Sequence, residues 1–149
     1  MDLQIKEVTS PKDLRSFIQF PYRLYRGSPY WVPPLIQDEY NTLLRDKNPA
    51  FDHCETRYWL AIRQGQVVGR VAAILNHKHI EKWGQRYLRF GWFDFVDDTS
   101  VAEALLNVVE GWAKERGMTA VHGPLGFTDL DREGMLVEGF EELGTLATL

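Results

Sequence analysis

The sequence predicts a mixed α/β domain in which a mainly antiparallel sheet carries helices on both faces. Three runs rich in β-branched and aromatic residues follow one another between residues 57 and 98, and such runs bounded by glycine and polar clusters are typical of strands. Segments with apolar residues at helical spacing lie before and after these runs. The three strands therefore form the centre of the fold, and the helices supply the layers that cover it.

The central strands are predicted at Tyr58–Arg63, Val67–Asn76 and Arg86–Val96. The first two are joined by a short link around Gly65, which favours a hairpin. Between the second and third strands, residues 76–84 form a polar connection with room for about one helical turn.

The third strand has large apolar groups on both sides. Side chains of a strand alternate with period two, so two sets of residues are expected to face opposite ways. One set is Phe90, Trp92, Asp94 and Val96; the other is Gly91, Phe93 and Phe95. We therefore expect this strand to be covered on both faces.

The N-terminal third is predicted to hold one strand and two helices. Leu3–Val8 alternates as a strand, and Ser10 before Pro11 is a strong helix start. Pro21 is expected to disrupt this first helix. The second helix is predicted over residues 35–44, with Leu35 among the side chains available for burial.

The most regular helix follows the third central strand. Ser100 and Glu103 have the spacing of a capping box, and Gly117 is a good C-terminal stop. Met118–His122 is then predicted as a short strand. Residues 125–149 show no long periodic element, and the apolar ending Thr145–Leu149 suggests that the single domain of residues 1–149 is incomplete at its C-terminus.

Composition excludes several classes of function. A net charge of −4 gives no broad attraction to nucleic acid or to an anionic membrane, and we expect neither as a partner. No apolar run has the roughly 18 residues of a membrane span. The lone Cys54 cannot form an intrachain disulfide, and no signal peptide is evident, so a cytoplasmic location is expected.

Four short motifs carry a resemblance to a known family. They are Trp31-Val32-Pro33-Pro34, the run Gly69–Ile74, Phe90-Gly91-Trp92-Phe93 and the run Gly123–Phe127. Together with the order of elements, they resemble longer, mostly bacterial GNAT (Gcn5-related N-acetyltransferase)-like proteins. The resemblance implies an acyl-CoA-dependent N-acyltransferase, with acetyl-CoA as co-substrate and a small-molecule or peptide amine as acceptor. The alternative is a non-catalytic GNAT-like domain that serves in binding or assembly.

The resemblance also implies where CoA lies. The strands at 86–96 and 118–122 would diverge, with the pantetheine arm between them and the diphosphate at the start of the following helix, where unpaired N–H groups point outward. The implied cofactor-binding residues are Phe95, Val96, Thr99, Ser100 and Val101. A sheet edge left exposed would need covering, which is consistent with a homodimer.

The predicted phosphate loop departs from the family pattern. GNAT proteins have a basic, glycine-rich loop here, whereas this chain has Asp97 and Asp98. A carboxylate about 5 Å from a phosphate is repelled by roughly 3 kcal/mol at a dielectric near 20, whereas the helix dipole stabilises the phosphate by only about 0.3–1 kcal/mol. CoA binding therefore requires that the two acids point away or that a cation intervenes; otherwise Asp98 and Ser100 simply cap the helix.

Two residues are candidates for acid–base catalysis. Asp94 lies in an aromatic strand, where an apolar surround would raise the pKa of a carboxyl toward that of a general base; the alternative is an ion pair with Arg70 or Arg89. His122 ends a strand beside Gly123 and has a side chain that titrates near neutral pH; the alternative is a core or capping histidine.

No metal site is predicted. The segment Asp129–Gly134 resembles the start of a calcium loop, but position 12 of the pattern is Phe140 rather than a carboxylate. His77 and His79 lack an evident third ligand. The aromatic segment from Tyr22 to Trp31 is open to two interpretations: it stacks on a ligand, or it packs on the sheet edge.

Overall fold

A computed structural model of the chain describes residues 2–144. It contains one five-stranded sheet whose strands lie in the order in which they occur along the chain. The strands are β1 (Leu3–Glu7), β2 (Cys54–Arg63), β3 (Gln66–Asn76), β4 (Tyr87–Phe95) and β5 (Ala120–His122). Neighbours from β1 to β4 are antiparallel, and β4 and β5 are parallel. The predicted mainly antiparallel sheet is confirmed.

Four α-helices and a short 3-10 helix join the strands. They are α1 (Pro11–Leu24), α2 (Ile36–Leu43), the 3-10 helix (Pro49–Asp52), α3 (His77–Trp83) and α4 (Thr99–Glu115). None of the helices between residues 2 and 144 is both long and apolar enough to cross a membrane.

The sheet is buried on both faces because its apolar side chains alternate between two cores. One core joins Trp59, Val71 and Leu88 to α4, through Leu105 and its apolar neighbours. The other joins Leu60, Ala72 and Ile74 to α1 and α2, through Phe17, Ile18 and Leu43. Burying a side chain of this size stabilises a fold by about 1.5–3 kcal/mol, so the two helix layers hold the central strands firmly in register.

A β-bulge in β4 changes the predicted alternation of its side chains. Ala72 pairs with Gly91 and Arg70 pairs with Asp94, so two residues of β4 oppose one of β3. Trp92 has a φ of 46° at this point, in a region that few non-glycine residues adopt. As a result Phe90 packs in the α4 core together with Phe93 and Phe95, while Trp92 packs in the opposite core. The prediction that Phe90 shares a face with Trp92 is wrong, because Trp92 and Phe93 together lie opposite the single residue Val71 and the alternation is interrupted there.

Helix α1 continues past its internal proline. Ser10 caps the helix as predicted, accepting a hydrogen bond from the Asp13 N–H at 3.1 Å. The expected disruption at Pro21 does not occur, and the helix runs to Leu24. Pro21 is buried within the helix although its ring removes one main-chain hydrogen bond.

Two further details differ from the sequence prediction. The cap of α4 is Asp98, which confirms that part of the capping alternative, but its side chain accepts a hydrogen bond from the Ser100 N–H. Ser100 therefore lies inside the helix, and the predicted capping box is wrong. Leu35 precedes α2 with 72% of its surface exposed and does not reach the core.

The segment from residue 125 to residue 144 contains neither helix nor strand, as predicted. Phe127 is buried in the core on the α1 and α2 face. Leu125 is half-buried, and six other large apolar side chains of the segment are exposed: Leu130, Met135, Leu136, Val137, Phe140 and Leu143. The predicted break at Thr145–Leu149 lies outside the described residues.

Candidate functional site

Part of the edge of β4, called the opening here, has no strand partner beyond the pairing with β5. The two strands pair only at Tyr87–Arg89, opposite Ala120–His122. The chain then follows β4 for a short distance, and the Leu125 N–H donates to the Phe90 carbonyl at 2.8 Å. No strand among residues 2–144 pairs with β4 on this side beyond that point. Residues 92–95 of β4 therefore have no strand partner on this side within the described part of the chain. The prediction that the two strands are neighbours in one sheet is confirmed, and their divergence stays a prediction.

Close main-chain packing fixes the point where the opening begins. A Cβ atom on Gly91 would lie 2.2 Å from the Leu125 carbonyl oxygen, and one on Gly123 would lie 2.2 Å from the Phe90 oxygen. Contacts this short would force the backbone apart, so glycine is required at both positions. The two glycines let β4 and the segment after β5 approach each other just before they separate.

The N-terminus of α4 follows four residues after the end of β4, and an arginine from β2 lies against it. Arg63 donates to the Asp98 carboxylate at 2.7 Å and to the Ser100 hydroxyl oxygen at 3.2 Å. Hydrogen bonds from Ser100 and then from Arg63 lower the pKa of Asp98 to about 2. Asp98 is therefore ionised at neutral pH, and Arg63 is the cation that offsets its charge. The remaining acid of the loop, Asp97, is exposed.

The five residues predicted to bind CoA fall into two groups. Thr99 and Ser100 are exposed at the start of α4, and Phe95 and Val96 border the opening as half-buried residues. Val101 is fully buried, and its N–H donates to the Asp98 carbonyl oxygen at 3.1 Å. Its side chain belongs to the core rather than to a binding surface. Contact of these residues with CoA stays a prediction.

Asp94 takes part in a buried ion pair. Its Oδ2 accepts from Arg70 Nε at 2.9 Å and from Arg70 Nη2 at 2.8 Å, and its Oδ1 accepts from the Tyr25 hydroxyl at 2.7 Å. The alternative that Asp94 pairs with Arg70 is confirmed; Arg89 instead donates to the carbonyls of Gly126 and Phe127. Oδ2 is saturated by the two N–H groups of Arg70, whereas Oδ1 has one lone pair left beyond the Tyr25 hydrogen bond. The role of Asp94 as a general base stays a prediction.

His122 lies at the closed end of the opening. It pairs with Arg89 in the sheet and packs against the rings of Tyr87 and His79, with ring centroids 5.5 Å and 6.1 Å away. Burial, then Arg89 and His79, lower the pKa of its imidazole. Asp94 lies five residues beyond Arg89, more than about 10 Å along the strand. The fold therefore does not bring the two predicted catalytic residues together, and the role of His122 also stays a prediction.

Glu39 of α2 is a residue of this region that the sequence pattern did not single out. Its Oε2 accepts a hydrogen bond of 2.9 Å from the indole N–H of Trp92, the bulge residue of β4. Burial raises the pKa of the half-buried Glu39 carboxyl. In sequence it is simply the second of two acids in a predicted helix, and no local signal separates it from its exposed neighbour Asp38.

The other candidates from the sequence have structural roles. Trp31 packs against Tyr22 and Tyr25 at ring-centroid distances of 5.2 Å, which supports the packing interpretation of the aromatic segment. Asp131 accepts hydrogen bonds from the N–H groups of Phe127 and Thr128, which makes it part of a turn. Cys54 is buried, and burial raises the pKa of its thiol to about 11.

The chain has two curated relatives of much greater length. It is 37% identical over 137 residues to Protein YghO of Escherichia coli (strain K12), which covers 92% of this chain and 35% of that protein. It is 34% identical over 141 residues to Bacterial ceramide synthase of Caulobacter vibrioides, which covers 94% of this chain and 37% of that protein. The chain thus spans little more than a third of these relatives. No known protein-family profile matches it.

Solved structures identify the fold. A tandem GNAT protein from the clavulanic acid biosynthesis pathway superposes with a TM-score of 0.62 at 18% identity, over 82% of this chain and 37% of that one. A predicted acetyltransferase of Clostridium acetobutylicum, crystallised with acetyl-CoA, gives a TM-score of 0.58 at 12% identity, over 81% of this chain and 79% of that one. The chain has a GNAT-like fold.

Proposed function

We propose that this chain is an acyl-CoA-dependent N-acyltransferase domain. The single observation that carries the proposal is the opening beside β4, which begins beyond the last paired residue, Arg89, and ends at the N-terminus of α4. An extended ligand with amide groups in its middle and phosphates at one end matches this arrangement. The amides would meet the unpaired edge of a strand, and the phosphates would meet a helix N-terminus.

Two parts of CoA, the pantetheine arm and the diphosphate, have complementary groups in the chain. Main-chain groups of residues 92–95 would hold the pantetheine arm. Thr99, Ser100 and the guanidinium of Arg63 would hold the diphosphate, since Arg63 supplies the positive charge that the loop itself lacks. CoA supplies the acyl group as a thioester.

The acceptor that we propose is an amine. Ceramide is an N-acylated long-chain amino alcohol, so similarity to Bacterial ceramide synthase favours a long-chain amino alcohol over other small-molecule or peptide amines. Acetyl-CoA and longer acyl-CoA donors are both compatible with the proposed binding mode, because the groups assigned to it would contact CoA rather than its acyl chain.

Calorimetric titration of the full chain with CoA, acetyl-CoA and palmitoyl-CoA tests the proposal. Adenosine 3′,5′-diphosphate serves as a control that lacks the pantetheine arm. We expect saturable heat with the CoA ligands and CoA release from a donor when sphinganine is added. Absence of both heat and thermal stabilisation at millimolar ligand would overturn the proposal.

A non-catalytic GNAT-like domain is the second candidate. The observation in its favour is that Asp97 and Asp98 replace the basic, glycine-rich loop of GNAT proteins. This candidate predicts no binding of CoA, whereas the first predicts binding even when the acceptor amine has not been found. The titration therefore separates the two without knowledge of the acceptor.

A further inference from the structure

Acyl transfer to an amine requires a base on the side from which the amine arrives. An alkylammonium ion must lose a proton before its nitrogen can attack a thioester carbonyl. The neutral nitrogen then forms the C–N bond, and the tetrahedral intermediate expels CoA by breaking the C–S bond. The remaining extra proton on nitrogen passes to the CoA thiolate, which leaves as the thiol.

The α4 face of the sheet is closely packed beside the opening. On the α4 face, a Cβ atom on Gly69 would lie 2.8 Å from Val101 and 2.9 Å from Leu105, so helix and sheet are in direct contact. The side chains of Phe93 and Phe95 add to this packed face. The acids of this region, Glu39 and Asp94, are half-buried and lie instead on the face that carries α1 and α2.

Glu39 reaches the opening from that second face. Trp92 projects from the bulge of β4 toward α2, and its indole N–H donates to Glu39 Oε2 at 2.9 Å. This hydrogen bond places the carboxylate beside the strand segment that borders the opening. Asp94 also lies on this face, but three N–H or O–H groups of Arg70 and Tyr25 already bind its carboxylate, whereas Glu39 accepts from Trp92 through Oε2.

We propose that Glu39 is the general base that accepts the proton of the acceptor amine, with Oε2 held by Trp92 and Oε1 directed to the substrate. This inference rests on the proposed function. After the transfer, Glu39 releases its proton to solvent, so one proton is set free for each ammonium acylated and each CoA thiol formed.

The charged groups around Glu39 suit this role. Tyr22 faces it from α1, Arg70 from β3, Asp94 from β4 and Arg132 from the C-terminal segment. Burial and Asp94 raise the pKa of Glu39, and they outweigh the opposing effects of Arg70, Arg132 and the Trp92 hydrogen bond. A carboxylate with a raised pKa accepts a proton more readily and stays ionised only above that pKa.

The test compares Glu39→Gln, Trp92→Phe and the control Asp38→Asn in the full chain. CoA release from palmitoyl-CoA is followed with sphinganine as acceptor, and with kanamycin as a second amine, across a range of pH. Asp38 is an exposed acid that adjoins Glu39 in the same helix, so its variant controls for charge. Gln keeps an oxygen that can accept from Trp92, so the fold is retained.

We expect Glu39→Gln to lower kcat by about 100-fold or more and to abolish the acid limb of the pH profile. CoA affinity should stay within about threefold of wild type, because Glu39 faces the amine. Trp92→Phe keeps the carboxylate but frees it to turn, so it should lower kcat by about tenfold and retain the acid limb. Asp38→Asn should match the wild type.

Two other results distinguish a failure of the Glu39 assignment from a failure of the proposed acyltransferase function. If the wild-type chain turns over and Glu39→Gln stays within threefold of it with an unchanged pH profile, the role of Glu39 is overturned and the acyltransferase function stands. If the wild-type chain binds CoA but releases none with either amine, both the transfer reaction and its base are overturned.

Discussion

Arg70 donates a hydrogen bond of 2.8 Å to the main-chain oxygen of Phe17, in the interior of the domain. In a regular helix this oxygen would accept from the N–H four residues later, but that residue is Pro21, which has none. A guanidinium from β3 therefore takes the place of the missing donor. The same guanidinium pairs with Asp94 and lies over the Phe17 ring at 5.1 Å. One side chain thus ties helix α1 to the bulged strand.

Restoring the helix N–H should weaken the dependence of the fold on this contact. In a double-mutant cycle with Arg70→Lys and Pro21→Ala, the lysine variant keeps a charge for Asp94 but loses the forked geometry that also reaches Phe17. We expect Arg70→Lys to cost less in the alanine background, with a coupling free energy of about 0.5–1.5 kcal/mol in urea unfolding. Additive effects would show that Arg70 and Pro21 are independent.

Removing the charge of Asp94 should destabilise the domain. Asp94→Asn leaves the buried guanidinium of Arg70 without its counter-ion, and breaking a buried pair in this way costs about 3 kcal/mol or more. Urea unfolding of this variant is compared with that of Asp97→Asn, an exposed acid of the neighbouring loop, which should change stability by less than about 0.5 kcal/mol. Equal stability of the two variants would contradict the structural role of the pair.

Gly91 and Gly111 offer a matched pair of glycine-to-alanine substitutions. A Cβ atom on Gly91 would lie 2.2 Å from the Leu125 oxygen, whereas Gly111 in α4 has open space around it. Gly91→Ala should therefore destabilise the domain by about 2 kcal/mol or more, and Gly111→Ala should stabilise it by about 0.5–1 kcal/mol through helix propensity. Thermal melting of both variants measures the two shifts, and the same sign for both would argue against the close approach at the opening.

Stability should depend on pH through Glu55. Arg116 and then His77 donate to its carboxylate, and they lower the pKa of Glu55 from 4.5 to about 2. A depressed carboxyl pKa contributes stability above its unfolded value, and that contribution is lost as the pH falls through the folded value. Wild type should therefore exceed Glu55→Gln in melting temperature at neutral pH, and the difference should shrink between about pH 4.5 and pH 2.

Glu115→Gln is the control for that comparison, because its side chain is 66% exposed and its contact with Arg57 is 3.7 Å. Its difference from wild type should be small at every pH. A difference between wild type and Glu55→Gln that stays constant down to pH 2 would mean that the Arg116 contact does not shift the titration of Glu55.

Local sequence patterns predicted most of the secondary structure but little of the site. Alternation of apolar residues identified the strands, and Ser10 with Pro11 identified the start of α1, because these signals lie within a few residues of each other. The bulge at Trp92 has no local signature of this kind. For that reason Phe90 and Trp92 were predicted to share a face of β4, whereas they lie on opposite faces. The pairing of Asp94 with Arg70 was among the expected alternatives because neighbouring strands were already recognised.

The contacts that define the site join residues far apart in the chain. Arg63 reaches Asp98 across 35 positions, and Trp92 reaches Glu39 across 53. Both depend on which strand end meets which helix, and the order of residues alone does not specify that geometry. For this reason the sequence showed two uncompensated acids in the loop, whereas the fold supplies the cation from β2.

Asp98 should limit the affinity of the domain for CoA by holding Arg63. Asparagine is as good a helix cap as aspartate, so Asp98→Asn retains the start of α4 while it removes the charge that engages the guanidinium. If the diphosphate binds at this helix terminus, Arg63 becomes available to it, and the dissociation constant for CoA should fall by about three- to tenfold at low ionic strength.

Two further variants test the same assignment of Arg63. Arg63→Gln should weaken CoA binding by a similar factor, and Asp52→Asn, which changes a distant exposed acid, should leave CoA binding unchanged. Calorimetry with CoA at two salt concentrations provides the measurement, since the gain from Asp98→Asn should shrink as salt screens the charges. Equal or weaker binding by Asp98→Asn at both salt concentrations would mean that no phosphate lies near Arg63.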